Sequence, residues 1–168
     1  MAGRGKRGAR STSFTMASRR IAIRLRTLNL SRMDCDMSLV ENRILGFQLD
    51  EAGQEVILSL IDTNGLKFAL YLHGVEQLLI SEVRQQNVIE ELTHWVGETE
   101  TPELREAAFM LLTGTQEKEC PVDLAIVACK AIDRVVRGEI EMIEIKAIYG
   151  AQLLALFNSM EIERPLEA

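Results

Sequence analysis

The chain has 168 residues, 47% of them hydrophobic and 26% charged, with a formal net charge of -6. That length and composition suit one globular domain large enough to bury a core, plus a tail. Three cysteines at unpaired spacings exclude a disulfide scaffold, and no apolar run approaches the roughly 18 residues of a membrane-spanning helix.

The net charge conceals a division. Residues 1–32 carry nine basic side chains and no acid, a formal +9. The remaining ten basic residues face all 25 acids, a formal -15 over residues 33–168. Such a split separates a tail from a folded body. Residues 1–32 are therefore read as a basic, disordered leader and 33–168 as a single domain. Three accounts of the leader stay open: a nucleic-acid arm that neutralises phosphates, an organelle transit sequence, or an extension ahead of a start at Met16, Met33 or Met37. Ile21, Ile23 and Leu25 alternate with Arg24 and Arg26, which allows a short strand.

In the body, Arg43 to Leu49 reads as a strand, followed by a turn at Ala52-Gly53. Val56, Leu58 and Leu60 share one face of the next strand. Asn64-Gly65 is a hairpin signal that favours positive φ at both positions. Leu66 to Leu72 and Gln77 to Val83 continue the meander, closed by a polar corner at Arg84 to Asn87 whose hydrogen-bonding groups are expected to satisfy a strand junction. Val88 to Val96 fits either a helix or a strand by spacing.

Thr101-Pro102 opens a helix with an N-cap and a first-turn proline, with Leu104, Ala107, Ala108, Leu111 and Leu112 as its apolar stripe and Gly114 as its end. A second helix begins at Pro121. Val122, Ala125, Ile126, Cys129, Ile132 and Val136 form its expected buried face, and Gly138 stops it. From Glu139 to Glu163 a hairpin is read. Ile143, Ile145 and Ala147 alternate with Glu144 and Lys146, Tyr149-Gly150 turns with Tyr149 packed over the turn, and Leu154, Leu156, Asn158, Met160 and Ile162 return on one set of alternating sites. The expected fold is α+β, a mainly antiparallel sheet with two helices inserted before a C-terminal hairpin.

Chemical motifs are scarce. The sequence holds no glycine-rich phosphate loop, no HExxH pair and no GxSxG elbow. Its two histidines, His73 and His94, lack metal-ligand spacing, Cys129 reads as a core residue, and Cys120 as a loop cysteine near a helix start. No catalytic, cofactor or metal site is expected, and the chain is read as no enzyme. The carboxylates Glu90, Glu91, Glu139, Glu141 and Glu144 are weighed as a solvated surface or as an acidic contact patch for a basic partner, with Trp95 as an interface anchor or a core residue.

Two segments carry a resemblance. Phe68-x-Leu70-x-Leu72-x-Gly74-Val75-x-x-Leu78, ending in Gln86-Asn87-Val88-Ile89, resembles a stretch of small bacterial domains of unknown function, some of them similar to immunity proteins that neutralise toxins. Gly138-Glu139-Ile140, Ile143-Glu144-Ile145 and Tyr149-Gly150-Ala151-x-Leu153 resemble the strand and tight hairpin of the same domains. Ile148 stands where such domains have Ser, and the leader has no counterpart in them. The resemblance implies strands after Asn87 and Glu139. It also implies a cytoplasmic protein that binds rather than catalyses, its acidic body docking on a basic toxin. Nucleic-acid binding through residues 1–32 is the alternative, and pairing of an exposed sheet edge with a second copy stays open.

Overall fold

The computed structural model describes residues 39–84 and 86–163. The leader, the short strand expected near Ile21 and the thiol of Cys35 lie outside the described residues. The strands are β1 (Arg43–Leu49), β2 (Glu55–Ile61), β3 (Lys67–His73), β4 (Gln77–Ser81), β5 (Asn87–Trp95), β6 (Glu141–Ala147), β7 (Gln152–Phe157) and β8 (Ser159–Glu163). Between β5 and β6 come helix α1 (Pro102–Thr113), a 3-10 turn (Glu117–Glu119) and helix α2 (Val122–Val136). This is the α+β arrangement expected, with both helices ahead of the β6–β7 hairpin. Val88 to Val96 lies in a strand up to Trp95, and the residues after Glu139 are strands as well.

The sheet is antiparallel throughout, in the order β4-β7-β6-β5-β1-β2-β3-β8. Its two ends are joined by the chain. β3 runs on into β4 through Gly74–Glu76, and β7 runs on into β8 through Asn158. The two long strands pair along both halves, β3 with β8 and β4 with β7. At the kink the ladder is carried by Asn158 N donating to His73 O and Glu76 N donating to Leu156 O, each at 2.9 Å. The sheet therefore curls round into a barrel whose ends meet at this doubled strand.

Gly74 is needed at the kink. Its φ is +63°, and a Cβ there would lie 2.8 Å from Asn158 Cγ and 3.1 Å from Asn158 Cβ. The same kink inverts the side-chain alternation. Leu154 and Leu156 point outward to the helices, whereas Met160 and Ile162 pack with the barrel interior. The unbroken alternation expected from Leu154 to Ile162 is thus replaced by two strands of opposite phase.

Two cores result. Inside the barrel, Val56, Leu58, Leu60, Leu70, Leu72, Ile143, Ile145, Leu153 and Phe157 are buried together. Outside it, α1 and α2 cover β5, β6 and β7 through Leu104, Ala107, Phe109, Ala128, Ile132, Trp95, Met142 and Leu156. β7 is covered on both faces and is apolar from Leu153 to Phe157, as a twice-buried strand must be, whereas β6 is buried over Met142–Ile145 yet carries Glu141, Glu144 and Lys146. The face of β2 and β3 turned away from the interior is uncovered, and there the alternation is clean.

Local chemistry sets the ends. Thr101 Oγ1 accepts from Leu104 N at 3.2 Å, and Gly114 ends α1 in the left-handed region with φ 68°. In the β2–β3 hairpin only Gly65 has positive φ, not Asn64. Asp62 Oδ1 accepts from Asn64 N and Leu66 N, both at 2.8 Å, and fixes a longer, bulged connection in place of a two-residue turn. The Arg84–Asn87 corner satisfies a strand junction as expected. Asn87, 4% exposed, accepts from Arg84 N and Ala151 N through Oδ1 and donates to Arg84 O at 2.7 Å. A Cβ on Gly150, at φ +135°, would collide with that Oδ1.

The buried face of α2 differs from expectation. Ala128, Ala131, Ile132 and Val135 are buried, while Val122 and Ile126 are 76% and 49% exposed. Apolar residues surround the first two turns, so periodicity there cannot choose a face. The alanines decide it, because they let the helix approach closely.

Candidate interaction surface

The carboxylates weighed as a solvated surface or an acidic contact patch lie on β5, on β6 and just ahead of β6, in separate groups. Glu91 and Glu144 share Lys146 Nζ, at 3.2 and 3.3 Å. Burial of Lys146 works against its charge, but the two carboxylates outweigh it and hold its pKa above the ordinary lysine value. Glu144 is 8% exposed and also accepts from Gln152 Nε2 at 2.9 Å, so it belongs to the strand interior rather than to a solvated face. Glu141 Oε2 meets His94 Nε2 at 2.8 Å, beside the stacked ring of Phe157. Glu139 faces Arg137 at 3.2 Å and Arg134 at 3.9 Å. Glu90, at the β5–β6 bulge, and Glu91 are both exposed.

Trp95 is no surface anchor. It is wholly buried among the residues of α1, α2 and β6, and its Nε1 has no acceptor among the described residues. Tyr149 is 69% exposed and does not pack over its hairpin. On the uncovered sheet face, His73 Nδ1 lies 2.9 Å from Glu55 Oε2, and Tyr71 donates to Glu163 Oε2 at 2.7 Å. Near them a shallow hollow of about 300 Å³ is lined by Leu45, Phe68, Ala69, Lys67 and Glu163 among others. Among the described residues, no three His, Cys, Asp or Glu side chains gather in a way that could hold a metal ion.

The strongest concentration of charge and exposed apolar surface lies elsewhere, at the corner where α1, the 3-10 turn and the start of α2 meet. Residues 98–123 contain seven acids against Arg105 and Lys118. Arg105 is committed internally. It donates to Glu100 Oε1 at 2.7 Å, grips Glu117 with Nε and Nη2, and lies over the Phe109 ring with its guanidinium carbon 5.4 Å from the centroid. The hydrogen bonds that Arg105 donates hold the Glu117 carboxyl below its usual range, and their acceptance by Glu117 and Glu100 raises the arginine further.

No protein family, no curated protein and no solved structure matches this chain at a significant level.

Beside these acids, Val122, Leu124, Ile126 and Val127 are 76%, 43%, 49% and 50% exposed. Leu124 and Val127 lie on the stripe that continues into Ala128, Ala131 and Val135 at helical spacing. That stripe is buried from Ala128 onward and bare before it, so the first two turns of α2 overhang the packed body. Four large exposed aliphatic side chains within the first two turns of one helix are more than scattered surface apolarity. Glu117, Glu119 and Asp123 flank them, all exposed. Sequence reasoning passed over this corner although its signals were present: an acid-rich stretch, and aliphatic residues on every side of the first turns of a helix.

Proposed function

We propose that the protein acts by binding a basic protein partner, as an immunity-type inhibitor of a toxin in the cytoplasm. The observation that carries this reading is the bare aliphatic overhang of α2 beside the acidic 3-10 turn. An apolar centre bordered by charged groups is the anatomy of a protein interface. The field of a body with a formal charge of -15 over residues 33–168 speeds encounter with a positive surface. The resemblance of two of its segments to immunity-like domains points the same way. The experiment is co-expression with a toxin encoded beside this gene. Rescue of growth by the native protein, lost in the double variant Glu119→Lys, Asp123→Lys, supports the reading. Absence of rescue overturns it, and rescue that survives the charge reversal removes this corner as the contact.

A further inference from the structure

We infer that α2 pairs with α2 of a second copy, antiparallel, across a two-fold axis that passes between Ile126 and Val127. The helix has two sides. Ala128, Ile132 and Val135 are buried in the outer core. On the side turned away from them, Asp123, Ile126, Val127, Lys130 and Arg134 follow one another at helical spacing. Ile126 and Val127 are exposed, and Val122 and Leu124 widen this apolar centre on either flank. An acid stands at the start of that side and bases stand at its end.

This order of charges selects a copy of the same chain. Asp123 stands three positions before Ile126, and Lys130 stands three positions after Val127. Two antiparallel helices centred there set Asp123 of each copy opposite Lys130 of the other, so the match is made twice. Among the described residues, neither Asp123 nor Lys130 has an ion-pair partner within its own chain. Glu119 and Arg134 are likewise each seven positions from the centre. Arg134 already holds Glu76 at 2.7 Å, so it adds its field more than a new bond. Asp133, the other acid of the helix, falls at the margin of the contact. A parallel pair would set like charges together, whereas the antiparallel one also opposes the two helix dipoles.

A contact of about four helical turns stays below the roughly 1,200 Å² of a standard interface, so the dimer is weak, with a dissociation constant on the order of 10–100 μM. The pairing covers part of the surface assigned above to a basic partner. As regulation it rests on that reading: the partner has to part the dimer to reach Ile126 and Val127. The self-contact itself does not depend on it.

The test is sedimentation equilibrium of the full chain, from about 1 μM to about 1 mM at about 0.15 M salt, where charges on exposed side chains still act over about 8 Å. A monomer–dimer equilibrium is expected. Asp123→Lys alone and Lys130→Asp alone should each weaken it about tenfold or more, because each sets two like pairs across the axis. The swap Asp123→Lys, Lys130→Asp should restore the wild-type constant within about threefold, and Ile126→Ser with Val127→Ser should abolish association. A monomer throughout, a dimer indifferent to the single reversals (as pairing through a sheet edge would give), or reversals that the swap does not repair overturn the inference. Rescue in co-expression by a protein that stays monomeric removes the dimer and leaves the inhibitor reading; a dimer repaired by the swap together with failed rescue does the reverse.

Discussion

Replacing Asn87 tests the polar joint that ties the β4–β5 corner to the β6–β7 hairpin. In Asn87→Ala three hydrogen bonds disappear, at 2.7, 3.1 and 3.2 Å. The groups left behind are not equivalent. Arg84 is exposed, so its backbone can turn to water, whereas Ala151 is 1% exposed and its N–H is stranded. A net value of about 1 kcal/mol per bond, with about 1–3 kcal/mol for a stranded buried donor, gives a loss of about 2–4 kcal/mol. At about 2–4 °C per kcal/mol for a chain of this size, the midpoint of thermal unfolding falls by about 5–15 °C. Asn87→Asp separates the donor from the acceptor. It keeps Oδ1 for Ala151 N but puts an oxygen against Arg84 O unless the acid is protonated. Burial and that carbonyl favour the neutral acid in the folded state, so its pKa rises above the unfolded value. The penalty is absent below about pH 4, grows as pH rises and is complete above the folded pKa. Urea denaturation of wild type and both variants at pH 4 and pH 7 reads the difference directly. A loss below about 1 kcal/mol for Asn87→Ala, or an Asn87→Asp deficit that does not widen with pH, refutes the role given to this residue.

Gly74→Ala forces a left-handed alanine, at about 1–2 kcal/mol, and displaces the Asn158 side chain, so a total of about 2–3 kcal/mol is expected. In an Asn158→Ala background the cost should drop by about 1 kcal/mol, as measured in a double-mutant cycle of urea midpoints. Trp95→Phe removes an indole N–H that has no acceptor among the described residues, so it should cost less than about 1.5 kcal/mol by denaturation, against about 3–5 kcal/mol for Trp95→Ala. The Glu76 carboxyl receives two hydrogen bonds from Arg134, each 2.7 Å, which hold its pKa below the ordinary 4.5. A depressed acid contributes stability above its unfolded pKa and loses it as pH falls through the folded value. Glu76→Gln should therefore be less stable than wild type at pH 7, and the two should converge below pH 4.5 in denaturation curves.

The strands of the open half were legible in the sequence because one of their faces meets solvent. Alternation in Val56–Ile61 and Lys67–Leu72 follows from that exposure. β7 offered no such contrast, since helices and barrel interior cover both of its faces; the hairpin was marked by the Tyr149-Gly150 turn and by the alternation of Glu144 and Lys146 with Ile143, Ile145 and Ala147 in β6. The closure of the barrel was hidden for a different reason: it depends on kinks at Gly74 and Asn158 that face each other across far-separated sequence. The bond from Ala151 to Asn87 likewise spans 64 positions. Asn87 and Gly150-Ala151 touch at this joint, so these residue choices are in part packing requirements. At the candidate surface, the sequence located the acids of β6 but not Lys146 and His94 as their partners. It misjudged α2 because four aliphatic residues encircle its first turns.

The doubled strand that closes the barrel also fixes when folding can finish. β3 is synthesised early, but the residues that cover its far side, Ser159–Glu163, emerge from the ribosome only after both helices and the hairpin. Until then β3 presents an uncapped row of backbone donors and acceptors, the kind of template on which nascent chains stick to one another. The native topology is thus dominated by distant pairings, which slows folding relative to a helical bundle of equal length. A chain released before residue 159 would keep both cores largely intact yet remain open along that seam, a seed for aggregation.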